Sequence, residues 1–393
     1  MNVGIFTDND FAKVNGVTTT LRAVLQYAPE GIRPRVYTCA NVEEDEDNYF
    51  SAASPGMRIP FYSDMRIYLP KVRTLLNRVR ADRIDVLHLT TPGPVGLAAL
   101  YVAWRTGLSM VGSFHTDLAA YAERLSGSAR LSVLMREFLR WPYGRCARIL
   151  VPSEATRELL VRSRIDASRI DLWTRGVDAT LFSPSKRSPA VRERWKVHDR
   201  RPAIVYVGRI SKEKGLDRLP EIQSILHCHA INHRLILVGD GPYRRELQER
   251  LPDAVFTGTL SPAAVAVSLA SADIFLFPSD TETAGNVVLE AQACGLPVIV
   301  SDAGGPKEYV RPDTTGIVCA AGDVRSFCTA AVQLLHNVQR RRAMGTAARA
   351  HAETLRWEAA LSPLYGAYRE VAATTMVGRP SRPAAESRGG AAA

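Results

Sequence analysis

Short apolar runs alternate along this chain with longer stretches in which apolar residues return every three to four positions. In the first half the runs are NVGIFTD (2–8), RPRVYTC (33–39), IDVLHLT (84–90), SMVGSFHT (109–116) and ARILVPS (147–153). The second half repeats the pattern with AIVYVGR (203–209), HRLILVGD (233–240), AVFTGTL (254–260), ADIFLFPS (272–279) and LPVIVSD (296–302). Nearly continuous apolar strands separated by amphipathic helices predict parallel sheets covered on both faces. Two such sets predict an α/β protein of two doubly wound, Rossmann-like domains facing across a cleft.

Turn residues cluster and the periodicity lapses near GVDATLFSPSKRSP (176–189), which places the join there. The expected division is an N-terminal domain over 1–180, a second over 181–357, a C-terminal helix over 358–375, and a disordered tail over 376–393 rich in Gly, Pro and Ala.

A length of 393 residues agrees with two cores, and 46% hydrophobic with 23% charged residues is the balance of a globular protein. No apolar run reaches the ~18 residues that a membrane-spanning helix needs. The start, MNVGIFTDND, reads as a first strand and lacks the basic and apolar regions of a signal peptide. Six scattered cysteines without a C-x-x-C argue against disulfides and structural zinc, and a cytoplasmic protein fits. The net charge of +10 is uneven. Residues 61–165 carry Lys71 and fifteen arginines against eight acids, a surplus of +8. That surplus suits an anionic partner, but a solvated Arg-rich surface would read the same. EEDED (43–47) reads as a solvated loop.

In open parallel sheets ligands sit beyond the carboxyl ends of the strands, so the residues just after each run are the informative ones. VGRISKEKG (207–215) puts Arg209 and Lys214 in a Gly-bounded loop that opens a helix. A bidentate guanidinium and a point-charge ammonium beside helix amides suit a diphosphate. In LVGDGPYRRE (237–246), Arg244 stands where a dinucleotide fingerprint needs its third glycine. The stretch is therefore a weak NAD signature and a better strand-to-helix turn lining a nucleotide cleft, with Gly239 at its start. His115 closes a strand, well placed to hydrogen-bond a ligand. In HCHAINH (227–233), His227 and His229 fall on different helix faces with no further ligand pattern, so the cluster reads as an ordinary helix end.

The densest pattern is SDTETAGNVVLEAQACGLPVIVSDAGGP (279–306), in which Glu282 and Glu290 stand with seven residues between them. A helix opening at Gly285 would present free amides and a partial positive charge, and small residues before it would let a phosphate or sugar approach. A nucleotide sugar satisfies the set: sugar hydroxyls at Glu282, diphosphate at the amides and cations, ribose hydroxyls at Glu290.

FPSDTETAGNVVLEAQACGLPVIVSDAGGPKE (277–308) resembles the E-x7-E signature of the family-four retaining glycosyltransferases, which have the B-type two-Rossmann fold. KVNGVTTTL (13–21), SFHTDL (113–118), VPSEATRELL (151–160), RGVDATLFSP (175–184), VGRISKEKG and LRWEAALSPLYGAYREV (355–371) are similar to that family's landmarks in the same order. The resemblance implies that the C-terminal helix crosses back onto the first domain, which binds the acceptor. It implies Gly16 near the donor diphosphate and acceptor, and Arg209 and Lys214 on the diphosphate, where they stabilise the leaving charge. Glu290 would hold the ribose, and Glu282 the transferred sugar near its C3 and C4 hydroxyls. Amides around Ala284, Gly285, Asn286 and Val287 would contact sugar and phosphate, His115 the region of the C6 hydroxyl, and Thr259 and Leu260 the base. No metal or cofactor is implied.

Within the family, FHTD and DAGGPKE are most similar to bacterial GDP-mannose-dependent α-mannosyltransferases and to the sulfoquinovosyl-lipid synthases. Mannosyl transfer from GDP-mannose to a lipid or glycan hydroxyl, by front-face transfer, is therefore the expected activity. A UDP-sugar-dependent enzyme of glucosyl or sulfoquinovosyl type, or an epimerase or hydrolase on this fold, is the alternative. Pro262 and Val265 replace an acid and a lysine that lie near the base in the phosphatidylinositol mannosyltransferases, and Ala284 replaces a common Phe. The incomplete glycine fingerprint argues against an NAD enzyme, and the lack of an aromatic-and-basic stripe against a nucleic-acid partner. RLSVLMREFLRWPYGR (130–145) would suit an anionic membrane surface with Leu131, Leu134, Met135, Phe138, Leu139 and Trp141 facing lipid, making the protein peripheral at the inner face of the cell membrane. A core or interdomain helix would show the same pattern.

Overall fold

The computed structural model describes residues 1–11, 15–40, 48–59 and 62–377. The acidic run 43–47 and the tail from 378 onward lie outside these residues. Among the described residues fifteen strands are formed. In the first half these are β1 (Asn2–Phe6), β2 (Arg33–Thr38), β3 (Tyr49–Ser51), β4 (Gly56–Ile59), β5 (Tyr62–Tyr68), β6 (Val86–Leu89), β7 (Met110–Ser113), β8 (Arg148–Val151) and β9 (Ile170–Leu172). The second half holds β10 (Ala203–Val207), β11 (Arg234–Val238), β12 (Val255–Gly258), β13 (Ile274–Phe277), β14 (Val298–Ser301) and β15 (Gly316–Cys319).

All ten apolar runs become strands, and they form two separate parallel sheets. The first has seven strands in the order β3-β2-β1-β6-β7-β8-β9, the second six in the order β12-β11-β10-β13-β14-β15. β4 and β5 make an antiparallel hairpin. In each large sheet the strand order reverses beside the first strand of the set, where a doubly wound sheet opens its ligand crevice.

Strand alternation divides the first sheet's core into two layers. Leu87, Leu89, Ile149 and Val151 pack on one face with the crossover helices. Val86, Val111, Leu150 and Trp173 pack on the other against Trp357, Leu361, Leu364, Tyr365 and Tyr368 of the C-terminal helix Trp357–Val377. That helix, although it follows the second sheet in sequence, returns to the first. The chain crosses where Gly176 passes Trp357, since a Cβ at Gly176 would lie 2.5 Å from the Trp357 Cα. The return is fastened by the Tyr365 hydroxyl donating to the Val24 carbonyl at 2.8 Å and by Arg148 pairing with Glu370 at 2.6 Å. The second sheet buries one continuous core around β10, β11, β13 and β14.

The helix Ala129–Tyr143 corrects one expectation. Leu131, Leu134, Phe138 and Trp141 are exposed, but Leu139 is buried and Met135 packs against the core. At ~100° per residue Met135 and Leu139 lie ~40° and ~80° around the helix from Leu131, on the side that meets the sheet.

Candidate active site

The expected site residues fall at the carboxyl ends of strands from both sheets. β13 is followed by the loop carrying Glu282, and Gly285 caps the helix Asn286–Ala293 with a left-handed conformation (φ 82°). The N-cap residue is Gly285, which has no side chain to take up the helix's first amides. Gly285 is required twice over: by its backbone angle, and because a Cβ there would lie 2.9 Å from the Pro306 ring. The loop rests on the glycines after β14. The Gly305 amide donates to the Glu282 carbonyl at 2.9 Å, and a Cβ at Gly304 or Gly305 would lie 2.3 Å from the carbonyl of Glu282 or 2.1 Å from that of Thr283. DAGGP is thus the floor beneath ETAG.

β10 delivers Arg209, whose carbonyl accepts from the Tyr206 hydroxyl at 2.8 Å, and Lys214 ends the short turn Lys212–Lys214. Gly215 follows at φ 70°, and a Cβ there would lie 2.3 Å from the Pro278 carbonyl, so only glycine fits. This contact brings Lys214 beside the β13 loop, and its Nζ donates to Glu282 Oε2 in a mostly buried ion pair. A second ion pair, Arg218 with Asp280, braces the same loop, and Asp280 also accepts from the Ser301 hydroxyl at 2.7 Å.

Glu290 stands in the second turn of the helix Asn286–Ala293, half-buried, and burial pushes its carboxyl up to about 7. Gly239 follows β11 with φ 136°, where a Cβ would lie 2.0 Å from the Gly208 carbonyl, and its amide donates to the Gly258 carbonyl at 3.0 Å. Thr259 is exposed and Leu260 partly buried just beyond β12. Arg244 opens its helix and pairs with Asp240 at 2.7 Å, so the incomplete fingerprint is a local helix-start ion pair.

The first sheet supplies the opposing wall. Gly16 opens the helix Gly16–Gln26, capped by the Asn15 side chain, with open space where a Cβ would stand. Asn286 reaches across from the second half, its amide 3.5 Å from both the Gly16 carbonyl and the Thr20 hydroxyl. The Thr283 hydroxyl donates to the His115 carbonyl at 2.6 Å. Glu308 caps the helix Glu154–Arg162 across the cleft, accepting from the amides of Glu154 at 2.8 Å and Ala155 at 3.0 Å. The E-x7-E loop, the helix start at Gly16 and the His115 strand end are therefore brought together.

His115 differs from the expectation that its ring bonds a ligand. Both ring nitrogens have protein partners: Nε2 the Ser113 hydroxyl at 2.7 Å, and Nδ1 the Arg175 guanidinium at 3.3 Å. Arg175 carries no signal of its own in the sequence, although it stands in RGVDATLFSP. It is 2% exposed, stacks over Trp173 at 4.5 Å and donates to the Trp173 carbonyl at 2.9 Å. Asp8 is likewise silent in the pattern. Its carboxylate accepts from Thr91, Val95 and Gly96 and so caps the helix Pro94–Thr106 from the end of β1.

The chain is similar in sequence and in fold to known proteins. The family described as "Glycosyltransferase Family 4" matches residues 14–181, and that described as "Glycosyl transferases group 1" matches residues 201–337. A GDP-mannose-dependent alpha-mannosyltransferase of Mycolicibacterium smegmatis is 34% identical over 94% of this chain and 98% of its own length. A sulfoquinovosyl transferase of Arabidopsis thaliana is 30% identical over 92% of this chain and 72% of its own. Among solved structures, a sucrose-phosphate synthase from Thermosynechococcus elongatus superposes with a TM-score of 0.78 at 20% identity, over 95% of this chain and 99% of that one. Anabaena HepE in complex with UDP-glucose gives 0.75 at 17% identity, over 96% of this chain and 100% of that one.

Proposed function

The chain belongs to glycosyltransferase family 4, and on that premise we propose that it transfers mannose from GDP-mannose to a lipid or glycan hydroxyl with retention of anomeric configuration. The observation that carries the reading is the convergence of Lys214, Glu282 and the glycine-led start of the helix Asn286–Ala293 at one strand end, facing Gly16 across the cleft. Cations and helix amides suit a diphosphate, and carboxylates at both sides suit the hydroxyls of sugar and ribose.

In this reading Arg209 and Lys214 stabilise the charge that grows on the leaving diphosphate. The bond between the anomeric carbon and the diphosphate oxygen breaks, and the bond to the acceptor oxygen forms on the same face. The acceptor's proton passes to the departing oxygen, giving the nucleoside diphosphate and the glycoside. Glu282 and the amides of Ala284 to Val287 position the sugar, His115 borders it, and Gly16 lies near the diphosphate and acceptor. Gly239, Thr259 and Leu260 line the nucleotide end, and Glu290 accepts the ribose hydroxyls. The 1–180 and 181–357 halves would take acceptor and donor respectively. The mannose assignment draws on the M. smegmatis relative's name; the sulfoquinovosyl transferase name of the Arabidopsis relative and the UDP-glucose bound to HepE support the alternative of another donor sugar.

The membrane face of the proposal is the helix Ala129–Tyr143. Its exposed stripe of Leu131, Leu134, Phe138 and Trp141 runs beside the exposed Arg130 and Arg145, the latter over the Trp141 ring at 4.9 Å. No helix among the described residues is long and apolar enough to cross a membrane. Such a stripe suits peripheral, salt-sensitive docking on an anionic inner leaflet. The test of the activity is incubation with GDP-mannose and UDP-glucose, each with membrane lipid extract, following the product by proton NMR. An α-linked mannoside supports the reading; no glycoside from either donor overturns it.

A further inference from the structure

Behind the cleft, a string of buried polar groups runs through the first sheet to the returning helix. Arg175 donates to His115 Nδ1, His115 Nε2 meets the Ser113 hydroxyl, and Ser113 also meets His88 Nε2 at 2.8 Å. The other His88 nitrogen meets the Tyr368 hydroxyl at 2.6 Å. His88, Ser113 and Tyr368 are fully buried. The register explains how they meet. His88 on β6 pairs with Val111 on β7, so Ser113, two residues on, is its diagonal neighbour on the face that the helix Trp357–Val377 covers.

Five polar side chains in a core carry a desolvation cost, which hydrophobic residues of similar size would avoid. None of His88, Ser113, Tyr368 and Arg175 is needed to hold a ligand directly in the proposed reaction. Their common endpoint is His115. A guanidinium has hydrogen-bond donors and no acceptor, so Nδ1 of His115 must accept and its proton must sit on Nε2, donated to Ser113.

We infer that Arg175, Ser113, His88 and Tyr368 are positioning residues that lock His115 as the neutral Nε2–H tautomer, so that docking of the returning helix is coupled to the cleft wall. Burial, then the Arg175 cation, then His88 hold the His115 imidazole well below the ordinary histidine range, in the same direction. Among the described residues the titratable groups facing the string include Arg175, His88, Tyr368 and three further phenols: Tyr143, which donates to the Ser113 carbonyl at 3.2 Å, Tyr309, which accepts from the Arg175 amide at 3.1 Å, and Tyr365, whose ring packs 6.1 Å from that of Tyr368. None is an acid of the carboxylate type that could draw a second proton onto the ring.

The consequence for the site is mechanical. The His115 carbonyl accepts from Thr283, one residue after Glu282, so a ring held by its edge at both nitrogens fixes the carbonyl that anchors the donor loop. The inference rests on the proposed placement of His115 beside the donor sugar for its effect on rate, but its tautomer does not.

The test uses the full chain labelled with nitrogen-15 histidine, read by long-range proton–nitrogen correlation before any donor is added. His115, assigned by the loss of its signals in His115→Asn, is expected to show one pyridine-like Nδ1 and one pyrrole-like Nε2, unchanged from pH 6 to 8. Arg175→Met and Ser113→Ala should each mix the tautomers or let the ring titrate within that range. Tyr368→Phe, which keeps the packed ring, should lower kcat at least tenfold with the donor KM within about threefold. A His115 that carries its proton on Nδ1, or that titrates between pH 6 and 8 in the unaltered protein, overturns the inference. So does a Tyr368→Phe variant with unchanged kcat. If no nucleotide sugar is turned over while the Nε2–H tautomer is found, the proposed activity fails and the locked histidine stands.

Discussion

Lys214 and Glu282, 68 positions apart in sequence, form an ion pair at the carboxyl end of β13. Each is placed by a glycine contact: Gly215 lets the Lys214 turn press on the Pro278 carbonyl, and Gly304 lets the floor loop press on the Glu282 carbonyl. The pair joins the group assigned to the diphosphate with the group assigned to the sugar. Binding a donor would exchange their mutual bond for bonds to the ligand at both ends.

Lys214→Ala is therefore expected to lower kcat by about 10²–10³, the loss typical for one donor that meets developing negative charge. The fold should persist, because the pair lies at the cleft and the sheet cores do not depend on it. Initial rates with saturating donor, alongside circular dichroism, check this. Full activity in a folded variant would remove Lys214 from the mechanism.

Gly304→Ala tests the floor of the site. The new Cβ would sit 2.3 Å from the Glu282 carbonyl, at a residue with φ 72°. Steric conflict and an unfavourable backbone angle together should cost about 2–3 kcal/mol and displace Glu282. A lowered melting temperature with loss of transfer is expected.

Glu290 gives a pH dependence. Its carboxyl lies at about 7 rather than near 4.5, so the folded chain favours the protonated form. The carboxyl thus costs stability progressively as pH rises from about 4.5 through about 7. Glu290→Gln removes that cost, so the variant should exceed the parent in stability by about 1–2 kcal/mol at pH 8, with the gap closing toward pH 5. Ribose hydroxyls would donate to the ionised form, so nucleotide affinity should rise between pH 6 and 8. That slope should flatten in Glu290→Gln, which also binds more weakly. Thermal melts and calorimetric titrations at three pH values measure both effects.

Much of this architecture is legible in the chain because buried parallel strands are apolar on both faces and stand out as runs. Four of the five strands without a run lack that signature: β3 and β9 are three-residue edge strands, and the β4–β5 hairpin is interrupted by polar residues; the fifth, β15 (GIVC), is apolar but short and does not stand out as a run. Most glycines and carboxylates of the candidate site are visible by spacing, since they follow strands, and Glu290 stands out by its seven-residue separation from Glu282. Arg175 is not, because nothing in RGVD tells that its guanidinium folds inward over Trp173. The Lys214–Glu282 pair is also a tertiary event that no local pattern carries. On the helix Ala129–Tyr143, periodicity finds the apolar residues but overstates the exposed stripe by two, because its core-facing flank is apolar as well.

Glu308 and the helix Glu154–Arg162 give a further prediction. The carboxylate accepts from two helix amides across the cleft, a cap aided by the helix dipole. Because Glu308 is exposed, Glu308→Gln should cost only about 0.5–1 kcal/mol, less at high salt. Solution scattering should show a larger average radius if the cap helps hold the two halves closed.

The central claim is a nucleotide-sugar site in this cleft, and ligand-induced stabilisation tests it most directly. The purified protein is melted with GDP, UDP, ADP and NAD, each at about 100 times a typical dissociation constant, where binding adds about 2.7 kcal/mol. The account predicts that GDP raises the melting temperature, and that this GDP-induced shift is smaller in Lys214→Ala and in Glu290→Gln. A shift with UDP alone would keep the site and move the donor to a UDP-sugar. A shift with NAD alone, or none with any nucleoside diphosphate, would contradict the account.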